Sequence, residues 1–470
     1  MSGKTYPCVL SVFGSIVLVS CLGFGQGAAA SITGTVRDSS GAVLPGATVI
    51  AKQTDSGLTR TVISSENGAF SIELLPIGPY EITTILPGFK QETRKGVNLA
   101  VGQQAVINLT LEVGAAAESV TVTDEAPIVN ATLSSTSGLI NETQIKELPL
   151  NGRSFDQLLT LNVGTVDNRS NVSNNAWTSF SVAGKRPEAN RFLMNGVDYV
   201  GSNSGGTYIT PSGSSGQLLG VEAVREYNVL QHTYGAEYGK RAGAQIAVVS
   251  SSGTNQLHGD VFEYIRNSAL DSRNFFEDAK GPFQRNQFGG YLGGPLKKDR
   301  AFLFGNYEGF RERWAVPSSA IVPDAQARQG LLPNAAGVYA PVPNLEPRML
   351  QFAKYFWPEP TREIYQNGLP TGSAIAVSNP KRKVREDFAL IRFDYTHSSK
   401  DSFYFNVTAD DGFRTAPRID PVVTDVSRQR AGVIGLQETH IFSPTVVNAL
   451  TLGFSRARGT ACATGTTPRR

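Results

Sequence analysis

Between Ser31 and about Gly114 the chain is cut into short β-patterned runs by turn residues, and no helical period occurs there. The runs are Ile32 to Val36, Ala47 to Lys52, Thr59 to Ser64, Ala69 to Leu74, Tyr80 to Leu86, Lys90 to Val97 and Ala105 to Val113. Between them stand Asp38-Ser39-Ser40-Gly41, Asp55-Ser56-Gly57, Glu66-Asn67-Gly68, Pro76-Ile77-Gly78-Pro79 and Pro87-Gly88. Strands at roughly 8- to 12-residue spacing predict a small seven-stranded β-sandwich over 31–114. The whole chain is mainly β by the same signs: 48 Gly and 25 Pro make it turn-rich, while 24 Phe and 15 Tyr argue against disorder. At 470 residues it has room for three or so domains. A net charge of +3 is too small for nucleic acid to be the main partner.

Several chemistries are closed. Of the three cysteines, Cys8 and Cys21 lie near the start and Cys462 near the end, so no disulfide framework or zinc ribbon can be written. The histidines at 232, 258, 397 and 440 stand alone, with none at the short spacing that places two on one metal. They read as ordinary strand or loop residues. No Gly-x-Ser-x-Gly elbow occurs. Gly235 to Lys240 imitates a phosphate loop but is one residue short, and Arg241 stands where Ser or Thr should hold magnesium. Asp410-Asp411 and Glu386-Asp387 are adjacent pairs, which a strand points to opposite faces. No catalytic residue, metal ligand or cofactor is assigned, and the chain reads as a non-enzyme.

Lys4, the mostly apolar run Val9 to Phe24 and the small residues Gly27 to Ala30 form a secretory signal over 1–30. The run is too short and broken for a transmembrane helix. Leu18-Val19-Ser20-Cys21 also resembles a bacterial lipobox, which would put a lipid on Cys21.

Further on, alternation is strict. Phe403, Phe405, Val407 and Ala409 share one face of a predicted strand, and Ser402, Tyr404, Asn406 and Thr408 the other. Ala389, Ile391, Phe393 and Tyr395 likewise oppose Phe388, Leu390, Arg392 and Asp394, with His397 to Lys400 as the turn; Leu450, Leu452 and Phe454 repeat the pattern. A soluble sheet shows such alternation as well. Ten prolines between Pro317 and Pro380 predict one long outward-facing loop over 311–383, and Tyr355-Phe356-Trp357 inside it is a weak ligand-contacting aromatic candidate.

Two resemblances rest on these residues. Gly34-Thr35-Val36-Arg37-Asp38, Ala47-Thr48-Val49, Asn67-Gly68-Ala69-Phe70 and Leu75 to Tyr80 resemble the carboxypeptidase regulatory-like domain, a transthyretin-like sandwich grouped with carbohydrate-binding-like folds. The peptidase itself is not implied, since its zinc set is absent. After the small linker Gly114 to Ala117, the segment Glu118-Ser119-Val120-Thr121-Val122-Thr123 resembles the TonB box of TonB-dependent outer-membrane receptors. Leu150-Asn151-Gly152-Arg153, Ser181 to Arg186, Arg191 to Asp198, Val221 to Tyr227, Tyr234 to Gly239 and Ala244 to Val249 resemble their plug. Asn195-Gly196 is a two-residue hairpin turn, Val221 to Arg225 a short helix or strand, and the glycines beside Tyr238 permit positive φ at a tight corner. Ser252 to Asn255, His258-Gly259, Val261 to Asn267 and Asn274 to Phe276 resemble the opening of the barrel.

The resemblance implies a linker at 115–126 carrying the box, a mixed α+β plug at 127–255 and the first strands of an incomplete transmembrane β-barrel at 256–470. It also implies a place in the outer membrane and energy-coupled uptake of a large ligand such as an oligosaccharide, peptide or metal chelate. Its partners would be a TonB-type periplasmic energy-coupling protein gripping residues 118–123, outer-membrane lipid and an unknown extracellular ligand. A secreted or lipid-anchored carbohydrate-binding, adhesive β-protein is the alternative. A barrel of about 22 strands does not fit in residues 256–470, and the ending from Gly459 lacks alternation, so a truncated chain is expected.

Overall fold

The computed structural model describes residues 29–114, 119–123, 136–167, 180–201, 211–232, 234–235, 238–273, 280–315, 318–378, 380–417, 423–443 and 446–465. The signal segment through residue 28, Cys8, Cys21, Glu118 and the Asn274 to Phe276 motif lie outside them.

The first β-rich segment folds as two facing sheets. Strands β1 (Ala30–Asp38), β2 (Thr48–Gln53), β3 (Thr59–Ile63), β4 (Ala69–Leu75), β5 (Gly78–Ile85) and β6 (Gln91–Leu99) follow the predicted runs. The seventh run divides into β7 (Gln104–Val106) and β8 (Leu109–Leu111). Both pair in parallel with β1, β7 at Ser31 to Thr33 and β8 at Val36 to Asp38. Between them the backbone of Ile107 crosses so close to Gly34 that a Cβ on residue 34 would lie 1.8 Å from its carbonyl oxygen. One sheet is β4-β1-β7 with β8, and the other is β3-β2-β5-β6-β9, where β9 is Ser119–Thr123. Alternate residues face inward, so Ile32, Val36, Val49, Ile82, Leu99, Leu109 and Leu111 close one core around the buried Tyr80. Each such side chain contributes about 1.5–3 kcal/mol by leaving water.

The middle segment is mixed. A five-stranded sheet runs β10-β15-β16-β13-β14, built from β10 (Thr136–Ile140), β13 (Arg191–Met194), β14 (Val197–Asp198), β15 (Val224–His232) and β16 (Gln245–Ser250). The predicted turn joins β13 to β14 with φ of 49° at Asn195 and 81° at Gly196, the double positive φ that Asn-Gly favours. Helix α1 (Glu142–Glu147) starts in a capping box in which Asn141 Oδ1 accepts from Gln144 N–H at 2.9 Å. Val221–Ala223 is a 3₁₀ turn leading straight into β15, so that stretch is helical and then extended. A small hairpin of β11 (Thr165–Asp167) and β12 (Phe180–Val182) completes the unit. At the corner by Tyr238 it is Lys240, with φ of 68°, that takes the positive φ, and not Gly239.

The last segment is a meander of seven antiparallel strands: β17 (His258–Asn267), β18 (Phe283–Lys297), β19 (Ala301–Ala315), β25 (Lys381–Thr396), β26 (Asp401–Pro417), β27 (Val423–Ser443) and β28 (Val446–Gly465). Its sheet does not close on itself among the described residues. Connections at one end are 298–300, 397–400 and 444–445; at the other they include 268–282 and 316–380.

Two expectations about this segment are corrected. Residues 311–315 and 381–383 belong to long strands, and the insertion between them is structured rather than a loop throughout. It holds a sheet β20-β24-β23 of β20 (Ser318–Pro323), β23 (Arg362–Gln366) and β24 (Leu369–Ser378), a hairpin of β21 (Leu331–Pro333) and β22 (Tyr339–Pro341), and helix α2 (Pro347–Phe356). Pro323, Pro333 and Pro341 end strands and Pro347 takes the first position of α2, where the missing N–H costs nothing. The ending is also regular, since β28 pairs with β27 as far as Val423 opposite Gly465. Small residues conceal a strand whose ladder is made by backbone alone.

Candidate functional site

The seven-stranded sheet has its polarity reversed. Along β26, Phe403, Phe405 and Ala409 are exposed, while Asn406, Thr408 and Asp410 on the opposite face are buried. Register extends this across neighbours: Phe393, Phe405, Leu436 and Leu452 lie side by side, as do Ile391, Val407, Ile434 and Phe454. In water such rows would be an aggregation surface. Charges bound them. Asp401 and Asp411 stand ten residues apart on the same face of β26, about 33 Å of extended strand. Tilted by about 45°, that length matches an apolar band about 25 Å tall. Arg428 and Arg430 pair with Asp411 at the upper edge, and Asp387 accepts hydrogen bonds from Arg311 Nη2 and Tyr307 Oη, both at 2.6 Å.

The buried polar face holds the middle unit. Gly220 N–H donates to Glu308 at 2.9 Å and Ser215 N–H to Glu386 at 2.6 Å, so carboxylates of the sheet are capped by backbone of one loop. Arg392 Nη1 donates to Ser250 O at 3.1 Å, and Tyr404 Oη to Asn195 O at 2.8 Å. Arg153 lies over the rings of Phe262 and Tyr264 and donates through Nη2 to Glu222 Oε1 at 2.5 Å. The middle unit is thereby fixed to the wall by charge-assisted bonds that dry apolar packing could not replace.

The sandwich is seated beneath both, at the end with the short turns. Asp55 pairs with Arg225 at 3.2 Å, and its carbonyl accepts from Asn255 N–H at 2.8 Å. Asn228 Nδ2 donates to Val101 O at 3.1 Å, and Val101 N–H donates to Glu226 Oε1. Burial lifts the Glu226 carboxyl to about 7, against the pull of that N–H and of Arg225. Ile77 and Val101 of the sandwich pack on Val249 of β16. Arg60 reaches the 397–400 turn, donating to Ser399 O at 2.6 Å and Ser402 Oγ at 3.0 Å. A cavity of about 120 Å³ remains where the three parts meet, lined by Gln53, Ile77, Asn195, Arg225, Arg392 and Tyr404.

The box-like segment is a strand of that sandwich. β9 pairs in parallel with β6, Gln91 opposite Ser119 through Lys95 opposite Thr123, and is the edge of its sheet. Thr121 is exposed.

Residues 249–469 match the family model of an outer membrane beta barrel domain, and residues 31–112 that of a carboxypeptidase regulatory-like domain. The TonB-dependent transporter Oar of Myxococcus xanthus is 26% identical over 313 residues, covering 62% of this chain and 28% of the relative. In sequence the chain is thus similar to a TonB-dependent transporter and to an outer membrane beta barrel domain. Among solved structures, the outer membrane transporter YddB from Escherichia coli is 12% identical with a TM-score of 0.44, over 68% of this chain and 38% of that one. The ferric enterobactin receptor of Pseudomonas aeruginosa is 11% identical with a TM-score of 0.36, over 68% and 45%. The chain spans a little over a quarter of the Oar relative's length, and the match to an outer membrane beta barrel domain places it in the outer membrane. That relative is a TonB-dependent transporter.

The aromatic candidates lie in the insertion, at the end of α2. Phe356 stacks on Phe352 with centroids 4.0 Å apart, while Tyr355 and Trp357 are exposed. Trp357 O accepts from Arg328 Nη2 at 3.0 Å. Sequence spacing missed one group. Asp401, Glu438 and His440 come together from two strands, and only the strand register could have signalled it.

Proposed function

We infer that this chain works in energy-coupled uptake across the outer membrane. The reversed polarity of the seven-stranded sheet carries the reading, because a wall with lipid outside and a polar plug inside needs apolar residues outward and polar ones inward. In this reading 1–30 is the export signal, 31–114 the periplasmic sandwich, 115–126 the linker with the box, 127–255 the plug and 256–470 barrel wall. Residues Glu118 to Thr123 are the grip for a TonB-type energy-coupling protein. β9 supports this as an extended edge strand, the form in which a partner's backbone can add to a sheet. Tyr355, Phe356 and Trp357 are the ligand-contacting candidates, placed beyond the long-connection end, and the cargo is a large ligand such as an oligosaccharide, peptide or metal chelate. An exported adhesive protein in water is disfavoured, since Phe405, Leu436, Leu452 and Phe454 would be left wet.

The sandwich adds a constraint to this mechanism. Its loops around residues 55, 77 and 101 cover the periplasmic side of the plug, so cargo leaving through the plug requires those contacts to part. A pull on β9 acts on the sandwich first, because β9 is bonded to β6. The test is pull-down of the full chain by a purified periplasmic TonB domain. Val120→Pro removes a backbone donor and should abolish capture; unchanged capture contradicts the assignment of the box.

A further inference from the structure

The Asp401, Glu438 and His440 cluster has no part in the uptake reading beyond Asp401 marking the edge of the apolar band. Asp401 opens β26 directly opposite His440 of β27, and Glu438 lies two residues before His440 on the same face. One ligand atom from each, two carboxylate oxygens and an imidazole nitrogen, lies within 4.8 Å of the others. All three are half-buried, on the outward face at the edge of the apolar band, just past Phe403 and Leu436.

The cluster is held in place. Ser398 Oγ donates to Asp401 Oδ2 at 2.5 Å and itself accepts from the N–H groups of Lys400 and Asp401, both at 3.1 Å. Ile441 N–H donates to Lys400 O at 3.0 Å, tying the turn to β27. Asp401 Oδ1 is thereby left facing His440 Nδ1 at 2.6 Å. The His440 ring is set edge-on to Phe442 with centroids 4.3 Å apart. Glu438, by contrast, has no hydrogen-bond or ion-pair partner among the described residues. Asp401 and Glu438 bring two carboxylates to one spot, and the arginine and lysine nearby are otherwise engaged or turned to water. Arg60 is spent on Ser399 and Ser402, and Lys400 is exposed.

We propose that Asp401, Glu438 and His440 form a divalent transition-metal site, of zinc type, on the periplasmic rim of the barrel wall. Mixed imidazole and carboxylate ligands suit zinc rather than calcium or magnesium, which prefer oxygen alone. Three protein ligands leave a fourth position for water or another oxygen donor, the pattern of an exchangeable site. Bound there, the ion would tie the 397–400 turn to β27 at the point where Arg60 of the sandwich grips that turn. The proposal does not depend on the transport reading.

The test is zinc titration by calorimetry on the full chain in detergent, with Cys8, Cys21 and Cys462 all replaced by serine so that no thiol competes. One site per chain is expected. His440→Ala and Glu438→Gln should each weaken it by more than about tenfold, and His397→Ala should leave it unchanged. The Glu438→Gln side chain keeps its shape, so its result stands even if His440→Ala disturbs the fold. Cobalt in place of zinc should give visible absorption bands that His440→Ala abolishes. Absence of zinc binding in the parent chain, or equal binding by the Glu438→Gln variant, overturns the proposal.

Discussion

The sandwich and the seven-stranded sheet are both antiparallel-rich β structures with strict alternation, yet they bury opposite halves of it. In the sandwich Val49, Ile82 and Leu99 are inside and Lys52, Glu73 and Asn98 outside. In the sheet Phe405, Leu436 and Phe454 are outside, and Asn406, Thr408 and Gln429 inside. Local geometry cannot tell these apart, since a strand offers two faces whatever surrounds it. What differs is the medium each face meets, which is water around the sandwich and hydrocarbon around the wall. The polar inner face of the wall is affordable only because the plug supplies partners such as the Gly220 and Ser215 amides.

Substitutions can break this contrast. In the sandwich, Ile82→Ala removes a fully buried side chain and should cost about 2–5 kcal/mol, read as a lower urea midpoint for the transition of residues 31–112 in the full chain. On the wall, Leu436→Arg should cost about 2–4 kcal/mol of folding into lipid vesicles, whereas a water-facing Leu436 would accept arginine with no loss. Equal folding yields for Leu436→Arg and the parent would place that face in water.

The junction between the two regions should respond to pH. Glu226 is lifted by burial to about 7 from a usual 4.5, so the folded state holds its proton more tightly than the unfolded one. Seating of the sandwich on the plug is therefore strongest below about pH 4.5, weakens as pH rises towards 7 and is level above it. The span is on the order of 3 kcal/mol. Glu226→Gln should flatten this profile in hydrogen exchange of the Val101 amide; an unchanged slope would exclude Glu226 as its source. The smallest effect belongs to Asp55→Ala, whose partly exposed pair with Arg225 should contribute about 0.2–1 kcal/mol and fade in high salt.

Much of the fold was legible because turn chemistry punctuates it. Asn195-Gly196, His397 to Lys400 and the sandwich turns all fall where their residues demand them. The insertion reads as a loop because prolines look like loop markers, though Pro323, Pro333 and Pro341 end strands and Pro347 starts a helix, where they do no harm. The last part of the final strand gives no sign of itself, because Gly459, Thr460, Ala461 and Ala463 carry no hydropathy signal while their backbone pairs normally. The attachment of the box-like segment to β6 is a tertiary fact with no local mark. Asp401 and His440 are 39 residues apart in sequence, and only register brings them opposite each other.

The central claim is that the outward face of the seven-stranded sheet meets lipid. Single cysteines placed in turn from Asp401 to Asp411, in a chain with the native cysteines replaced, can carry a fluorophore exposed to a quencher dissolved in the bilayer. Quenching should alternate, strong at 403, 405, 407 and 409 and weak at 404, 406 and 408, with 401 and 411 reached from water. Uniform quenching, or strong quenching at the even positions, would contradict it.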